Sequence, residues 1–204
     1  MVHFVGAGSG APDLITLRGK KFLEEADVVI YAGSLVNPQL LEYTKENCEI
    51  YNSAKMTLEE VLDVIFAAEE KGLTTVRLHT GDPSLYGAIR EQMDVLEEKN
   101  IAFDYCPGVS SFCGAASALN LEYTLPDVSQ SVIITRMEGR TPVPEKERHP
   151  VLCGPSGNDG CLFKYRHVRR TEQKTDRGWL HRRYSGSKLY TKRPGKIRKH
   201  SSVQ

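Results

Sequence analysis

Thr57-Leu58-Glu59-Glu60-Val61-Leu62-Asp63-Val64-Ile65-Phe66-Ala67-Ala68-Glu69-Glu70-Lys71-Gly72-Leu73-Thr74-Thr75-Val76-Arg77-Leu78-His79 contains a whole helix-to-strand unit, and its reading decides the fold class. Thr57 and Glu60 have the spacing of a capping box, in which each side chain satisfies the other's amide. Leu58, Val61, Leu62, Ile65 and Phe66 then fall on one face of a helix predicted over 57–71. Gly72 ends that helix as the left-handed residue after its cap. The run Thr75-Val76-Arg77-Leu78-His79 reads as a strand.

The same alternation extends in both directions. Toward the amino end, Val2-His3-Phe4-Val5 is a short strand, and Thr16 caps a helix predicted to about residue 26. Val28-Val29-Ile30-Tyr31 is a strand buried on both faces, and Asn37-Pro38 starts a helix predicted to about residue 45. Toward the carboxyl end, a helix is predicted from about 84 to 98 and a strand at Phe103-Asp104-Tyr105-Cys106. A small-residue helix opens at Pro107-Gly108-Val109-Ser110-Ser111 and runs to about 119, followed by the strand Val132-Ile133-Ile134-Thr135. Strand and helix in alternation imply an α/β domain with a largely parallel sheet and right-handed crossovers.

The chain has 204 residues, 40% of them hydrophobic and 26% charged, as expected of a soluble globular protein. No apolar stretch has membrane-span length, and no charged-then-apolar leader precedes Val2. Five cysteines without a CxxC pair argue against a disulfide framework or a zinc site, and a reducing cytoplasm is the expected compartment. The net charge of +1 is a sum of opposites. Residues 1–148 carry 13 Lys and Arg against 23 Asp and Glu, a net of −10, whereas 149–204 carry 14 against 3, a net of +11. The latter segment also holds Trp179 and lacks any sustained period of 2 or 3.6, so its composition predicts poor order. Such asymmetry suggests a basic tail for nucleic acid or an acidic surface.

Gly6-Ala7-Gly8-Ser9-Gly10 follows the first strand but lacks the rest of a dinucleotide fingerprint: Pro12-Asp13 interrupts it, and the second strand ends at Tyr31 rather than an acid. It remains a turn that lets backbone approach a ligand. Gly81-Asp82-Pro83 stands at a strand's carboxyl end, where open α/β sheets bind ligands. There Asp82 either caps the next helix or accepts from a ligand. The Pro107-to-Ser111 turn repeats this geometry, and two such loops side by side make a crevice. His79 is read as a hydrogen-bonded structural residue, and Cys106 and Cys113 as small buried fillers. Arg18, Lys20, Lys21, Arg90, Arg136 and Arg140 are either solvated or face an anionic substrate.

Taken together, these motifs resemble the tetrapyrrole methylases, which use S-adenosylmethionine. The resemblance lies in Phe4-Val5-Gly6-Ala7-Gly8-Ser9-Gly10-Ala11-Pro12-Asp13-Leu14-Ile15-Thr16-Leu17, Tyr31-Ala32-Gly33-Ser34-Leu35-Val36, His79-Thr80-Gly81-Asp82-Pro83-Ser84-Leu85-Tyr86-Gly87-Ala88-Ile89 and the Pro107-to-Ser111 turn. Thr124-Leu125-Pro126 and Thr135-Arg136-Met137-Glu138-Gly139-Arg140-Thr141-Pro142-Val143-Pro144 narrow it to the branch that methylates carbon-11 of cobalt-precorrin-4. The first loop departs from the family's usual Gly-Pro-Gly-Asp-Pro by reading Gly8-Ser9-Gly10-Ala11-Pro12, without the acid.

The resemblance implies two α/β domains with a cleft between them, usually in a homodimer, and a folded cofactor. It assigns cofactor binding to Gly81, Asp82, Pro83, Tyr86, Gly87, Pro107, Gly108, Val109 and Ser110. Contact with a polycarboxylate corrinoid falls to Gly8, Ser9, Gly10, Pro12, Asp13, Arg18, Arg90, Arg136 and Arg140. No side chain is assigned as catalytic and no metal is expected, because the cofactor brings an activated methyl group.

Residues 149–204 do not continue the family pattern. Codons compatible with 154–159, read one nucleotide later, permit Ala-His-Gln-Ala-Thr-Met, and those for 166–184 permit a Gly-Met-Phe-Glu-Glu-Leu helix leading to Gly-Gly-Phe-Thr-Glu-Asp-Thr. Read two nucleotides later, 189–194 permit Leu-Tyr-Lys-Ala-Thr-Trp. All three shifted products resemble the family's second domain. A frameshift near Arg148 and a second slip near Ser187 therefore account for the tail, and GAA-GAA codons read out of register account for Arg169-Arg170. This reading predicts an inactive or nearly inactive, poorly soluble chain. The competing readings are an RNA methyltransferase of the same fold with a basic tail, which the scarcity of stacking aromatics disfavours, and a remnant without function.

Overall fold

The Thr57 hydroxyl accepts the Glu60 amide at 3.2 Å, and the Glu60 carboxylate accepts the Thr57 amide at 2.8 Å. This closes the capping box at the head of helix α2 (Leu58–Glu70), whose Val61, Leu62, Ile65 and Ala68 are buried. At its far end Gly72 has φ of 68°, its amide bonds the Glu69 carbonyl, and the Leu73 amide reaches the Ala68 carbonyl. That pair of bonds is a Schellman cap. The computed structural model describes residues 1–124, 126, 130, 132–136, 142–145, 161–165, 180–184 and 187–191. It divides into two units, Met1–Gly114 and Ala115–Gln204.

The first unit is built on five strands: β1 (Val2–Gly6), β2 (Val28–Tyr31), β3 (Glu49–Asn52), β4 (Thr75–His79) and β5 (Phe103–Cys106). They pair in the order β3-β2-β4-β1-β5, every pair parallel. Side chains alternate across this sheet, so Phe4 and Val5 enter different cores. One face gathers Val5, Val29, Val76 and Leu78 with Leu23 of α1 (Leu17–Glu25). The other gathers Phe4 and Ile30 with Ile65 of α2 and Leu96 of α3 (Arg90–Glu98). With both faces covered, the central strand β4 is buried at every position.

Three elements differ from the sequence reading. β3 was not anticipated: its burial is slight, since it is an exposed edge strand without an apolar run. The helix expected over 37–45 is a 3-10 turn at Pro38–Tyr43, although Asn37 caps it as read, accepting from the Gln39 amide at 3.0 Å. The helix expected from 84 starts only at Arg90, because residues 82–89 form a loop with Tyr86 and Ala88 at φ of 61° and 50°. Helix α4 (Ser111–Leu119) follows the 107–110 turn.

In the second unit, β6 (Val132–Arg136) pairs parallel with β7 (Cys161–Tyr165). The strand β9 (Ser187–Thr191) then pairs antiparallel with both β7 and β8 (Leu180–Tyr184). β7, β8 and β9 are the described parts of 149–204. Each contains a Tyr, a residue enriched in strands. Leu125 and 137–141 lie outside the described residues, as does the rest of 149–204.

Removing the cap hydroxyl tests how α2 starts. Thr57→Ala is expected to lower unfolding free energy by about 1 kcal/mol in urea titrations, and Thr57→Ser to stay close to the parent.

Candidate active site

β4, β1 and β5 are adjacent and parallel, so the loops leaving their carboxyl ends meet. Small backbone makes that meeting close. A Cβ on Gly6 would stand 2.6 Å from both the Gly108 Cα and the Gly81 carbonyl oxygen, and one on Gly108 would stand 2.2 Å from that same oxygen. Gly8 and Gly81 form an antiparallel bridge, with the Gly81 amide donating to the Gly8 carbonyl at 2.9 Å. The first loop is held from outside by Asn37, whose Nδ2 donates to the Gly10 carbonyl at 2.8 Å.

Gly81 has φ of 62°, a conformation that favours glycine. A Cβ there would make ordinary van der Waals contact with the Ser111 amide nitrogen at 3.6 Å and the Ser110 Cα at 3.7 Å, so Gly81 packs beside the head of α4. Behind it the loop doubles back: the Leu85 amide bonds the Asp82 carbonyl, and a Gly87 Cβ would lie 2.1 Å from the Pro83 carbonyl oxygen. Tyr86 projects from this bend, 58% exposed.

The Asp82 side chain is occupied within the chain. Its Oδ1 accepts from the Ser84 amide at 2.9 Å, the Ser84 hydroxyl at 2.6 Å and the Tyr105 hydroxyl, and its Oδ2 accepts from the Gly108 amide at 3.0 Å. Burial works to raise its pKa, but the bonds from Ser84, Tyr105 and Gly108 outweigh burial and hold the carboxyl below its ordinary value. Burial, followed by the bond to Asp82, raises the Tyr105 phenol. Sequence reasoning missed Tyr105 because a residue 23 positions away supplies the contact.

Two buried polar atoms close by, His79 Nε2 and Thr80 Oγ1, have no hydrogen-bond partner among the described residues. His79 is 4% exposed, and burial with the nearby Arg77 charge pushes its pKa down to about 3. The expected hydrogen bond is absent at Nε2, and the imidazole stays neutral. Arg77, also missed, is buried in β4. It donates from Nη1 to the Ile30 carbonyl at 3.0 Å and from Nε to Gln92 Oε1 at 3.2 Å. Gln92 Nε2 in turn donates to the Ala88 carbonyl at 3.0 Å, fixing the left-handed end of the 82–89 loop.

Gly8, Ser9 and Gly10 thus join the 81–87 and 107–110 loops at one sheet edge, with Ser9 against the position a Gly114 Cβ would occupy. Pro12 and Asp13 form a 3-10 turn with Leu14, and Arg18 is exposed on the first turn of α1. Arg90 is engaged by Asp94 and Glu97 along α3, while Lys20 and Lys21 pair with Glu24 and Glu25. Arg136 lies in β6, and Arg140 lies outside the described residues. Cys106 is buried as read, but Cys113 is exposed, since its position on α4 faces away from the buried Gly114. Among the described residues no cluster of three metal-ligating side chains occurs, and no helix is long and apolar enough to cross a membrane.

A parallel sheet covered on both faces, with glycine-bearing loops meeting at the carboxyl ends of its central strands, defines an α/β domain of the open-sheet class, in which ligands bind at that end. The family model for tetrapyrrole (corrin/porphyrin) methylases matches residues 1–175, and the chain belongs to that family. It is 63% identical over 147 residues to a cobalt-precorrin-4 C(11)-methyltransferase of Methanocaldococcus jannaschii, covering 72% of this chain and 57% of the relative. It is 48% identical over the same length to the enzyme of that name from Priestia megaterium, with the same coverage of each. A solved cobalt-precorrin-4 methyltransferase superposes with a TM-score of 0.75 at 43% identity, over 80% of this chain and 67% of that one. A uroporphyrin-III C-methyltransferase of Thermus thermophilus, solved with S-adenosylhomocysteine, gives 0.63 at 25% identity, over 83% of this chain and 67% of that one. The chain therefore spans a little over half the length of the curated relatives it matches.

The neutral, buried His79 sets a pH dependence. Unfolded, the imidazole takes up a proton near its ordinary 6.5; folded, it does so only near 3. Its contribution to stability is complete above 6.5 and is lost as pH falls from there toward 3, at about 1.4 kcal/mol per pH unit. Urea unfolding at pH 7, 6 and 5 should show this slope in the parent and a flatter one in His79→Gln.

Proposed function

We propose that the crevice binds S-adenosylmethionine and that the domain serves methyl transfer to carbon-11 of cobalt-precorrin-4, a corrinoid of cobalamin biosynthesis. The observation that carries this reading is the meeting of the 81–87 loop with the 107–110 turn around left-handed Gly81. The unsatisfied polar atoms of His79 and Thr80 beside these loops suit a small ligand with polar groups. S-adenosylhomocysteine in the Thermus relative and the 63% identity to the Methanocaldococcus enzyme support the same cofactor and substrate here.

When bound, the cofactor supplies a methyl group already activated on a sulfonium. What remains for the protein is alignment. Backbone groups of 107–110 and Gly81 hold the ligand, and Tyr86 and Gly87 shape the bend beside it. Loop 8–10 with Pro12, Asp13 and Arg18 faces the substrate's carboxylates. His79 stays neutral near pH 7, so it adds no charge to the crevice floor.

We further infer that 149–204 is out-of-register translation in place of the family's second domain. Similarity to the two named relatives spans 147 of the 204 residues, and the charge reverses from −10 over 1–148 to +11 over 149–204. Sequencing the source DNA across codons 140–204 tests this directly. A family-like second domain is expected in a shifted frame, and the reading fails if no shifted frame encodes one. On this reading the chain as written is expected to turn over substrate barely or not at all. Calorimetry with S-adenosylhomocysteine should give weaker binding than in a two-domain relative, and equal affinity would contradict the account.

A further inference from the structure

An ionised carboxylate offers about four lone-pair positions, and four donors of this chain already point at Asp82. They come from three pieces of backbone: the 82–84 bend, strand β5 and the 107–110 turn. Three of them converge on Oδ1, and the Gly108 amide alone is on Oδ2. The Tyr105 ring packs against the core of Phe4, Ile30 and Ile65, so its hydroxyl is delivered from a rigid strand rather than from a loop. The Gly108 amide, from the opposite wall of the crevice, completes the set.

We infer that Tyr105 is a positioning residue: with Asp82 it forms a clamp that locks the 81–87 loop to the 107–110 turn and thereby sets the width of the crevice. This deepens the cofactor reading above and rests on it. The bond that matters most is the one from Tyr105, because the two Ser84 bonds stay within the loop. The Tyr105 bond ties that loop to the sheet.

Two readouts on the full chain test the clamp: amide hydrogen exchange at Gly108 without ligand, and S-adenosylhomocysteine affinity by calorimetry. Tyr105→Phe keeps the ring's packing and removes only the donor. It should speed Gly108 exchange and weaken binding by about tenfold, the scale of one hydrogen bond to a charged acceptor. Asp82→Asn should do the same, and the double variant should be no weaker than Asp82→Asn alone, since both act through one clamp. Ser84→Ala, at an exposed position, should shift both readouts in the same direction by less.

If Tyr105→Phe binds like the parent while Asp82→Asn loses affinity, Asp82 is a direct ligand and the clamp is overturned. If the parent shows no affinity at all, the cofactor reading fails, and exchange alone decides the clamp. Unchanged Gly108 exchange in Tyr105→Phe would then refute it.

Discussion

Backbone contact among Gly6, Gly81 and Gly108 is the constraint from which the crevice follows. β1 ends at Gly6, the loops leaving its neighbours β4 and β5 carry Gly81 and Gly108, and a methyl group on Gly6 or Gly108 would collide with the facing backbone. Hydrophobic burial on both faces of the sheet drives the strands together, but it cannot decide how their loops meet. Glycine decides that, by leaving room for the Gly8–Gly81 bridge and for the 107–110 turn to lie against Gly81.

Polar contacts then fix what glycine permits. Asn37 holds the first loop at Gly10, and Asp82 ties the second loop to the turn after β5. Arg77 and Gln92, buried beneath, hold the left-handed end of the 82–89 loop through Ala88. Left-handed Tyr86 and Ala88 carry a backbone cost that persists only where surroundings over-determine the conformation. Here the Gln92 bond and the Gly87–Pro83 contact supply that determination.

Much of this was legible in the sequence, for identifiable reasons. The capping box at Thr57, the stop at Gly72 and the buried runs at 28–31 and 75–79 are local signals, and the structure follows them. The loops at Gly81 and Gly108 announce themselves as glycine-bearing turns after strands. Strand β3 gave no such signal, because Glu49, Ile50 and Asn52 are exposed at the sheet edge. The late start of α3 was hidden because Ser84 to Ile89 contain no proline or cap after Pro83, and the bend depends on a contact between Gly87 and Pro83. The donors to Asp82 from β5 and the next turn come from 23 and 26 residues away, beyond any local pattern. Arg77 carried no local signal of its role, because its partners Ile30 and Gln92 lie on elements that only the fold brings to it.

Hydrogen–deuterium exchange of the intact chain with and without saturating S-adenosylhomocysteine tests the central claim most directly, because it reports where a ligand rests as well as whether it binds. The account predicts protection concentrated in peptides covering 81–87 and 107–110, where the glycine contacts bring the two loops together. Protection confined to other segments, or none at saturation, would contradict it.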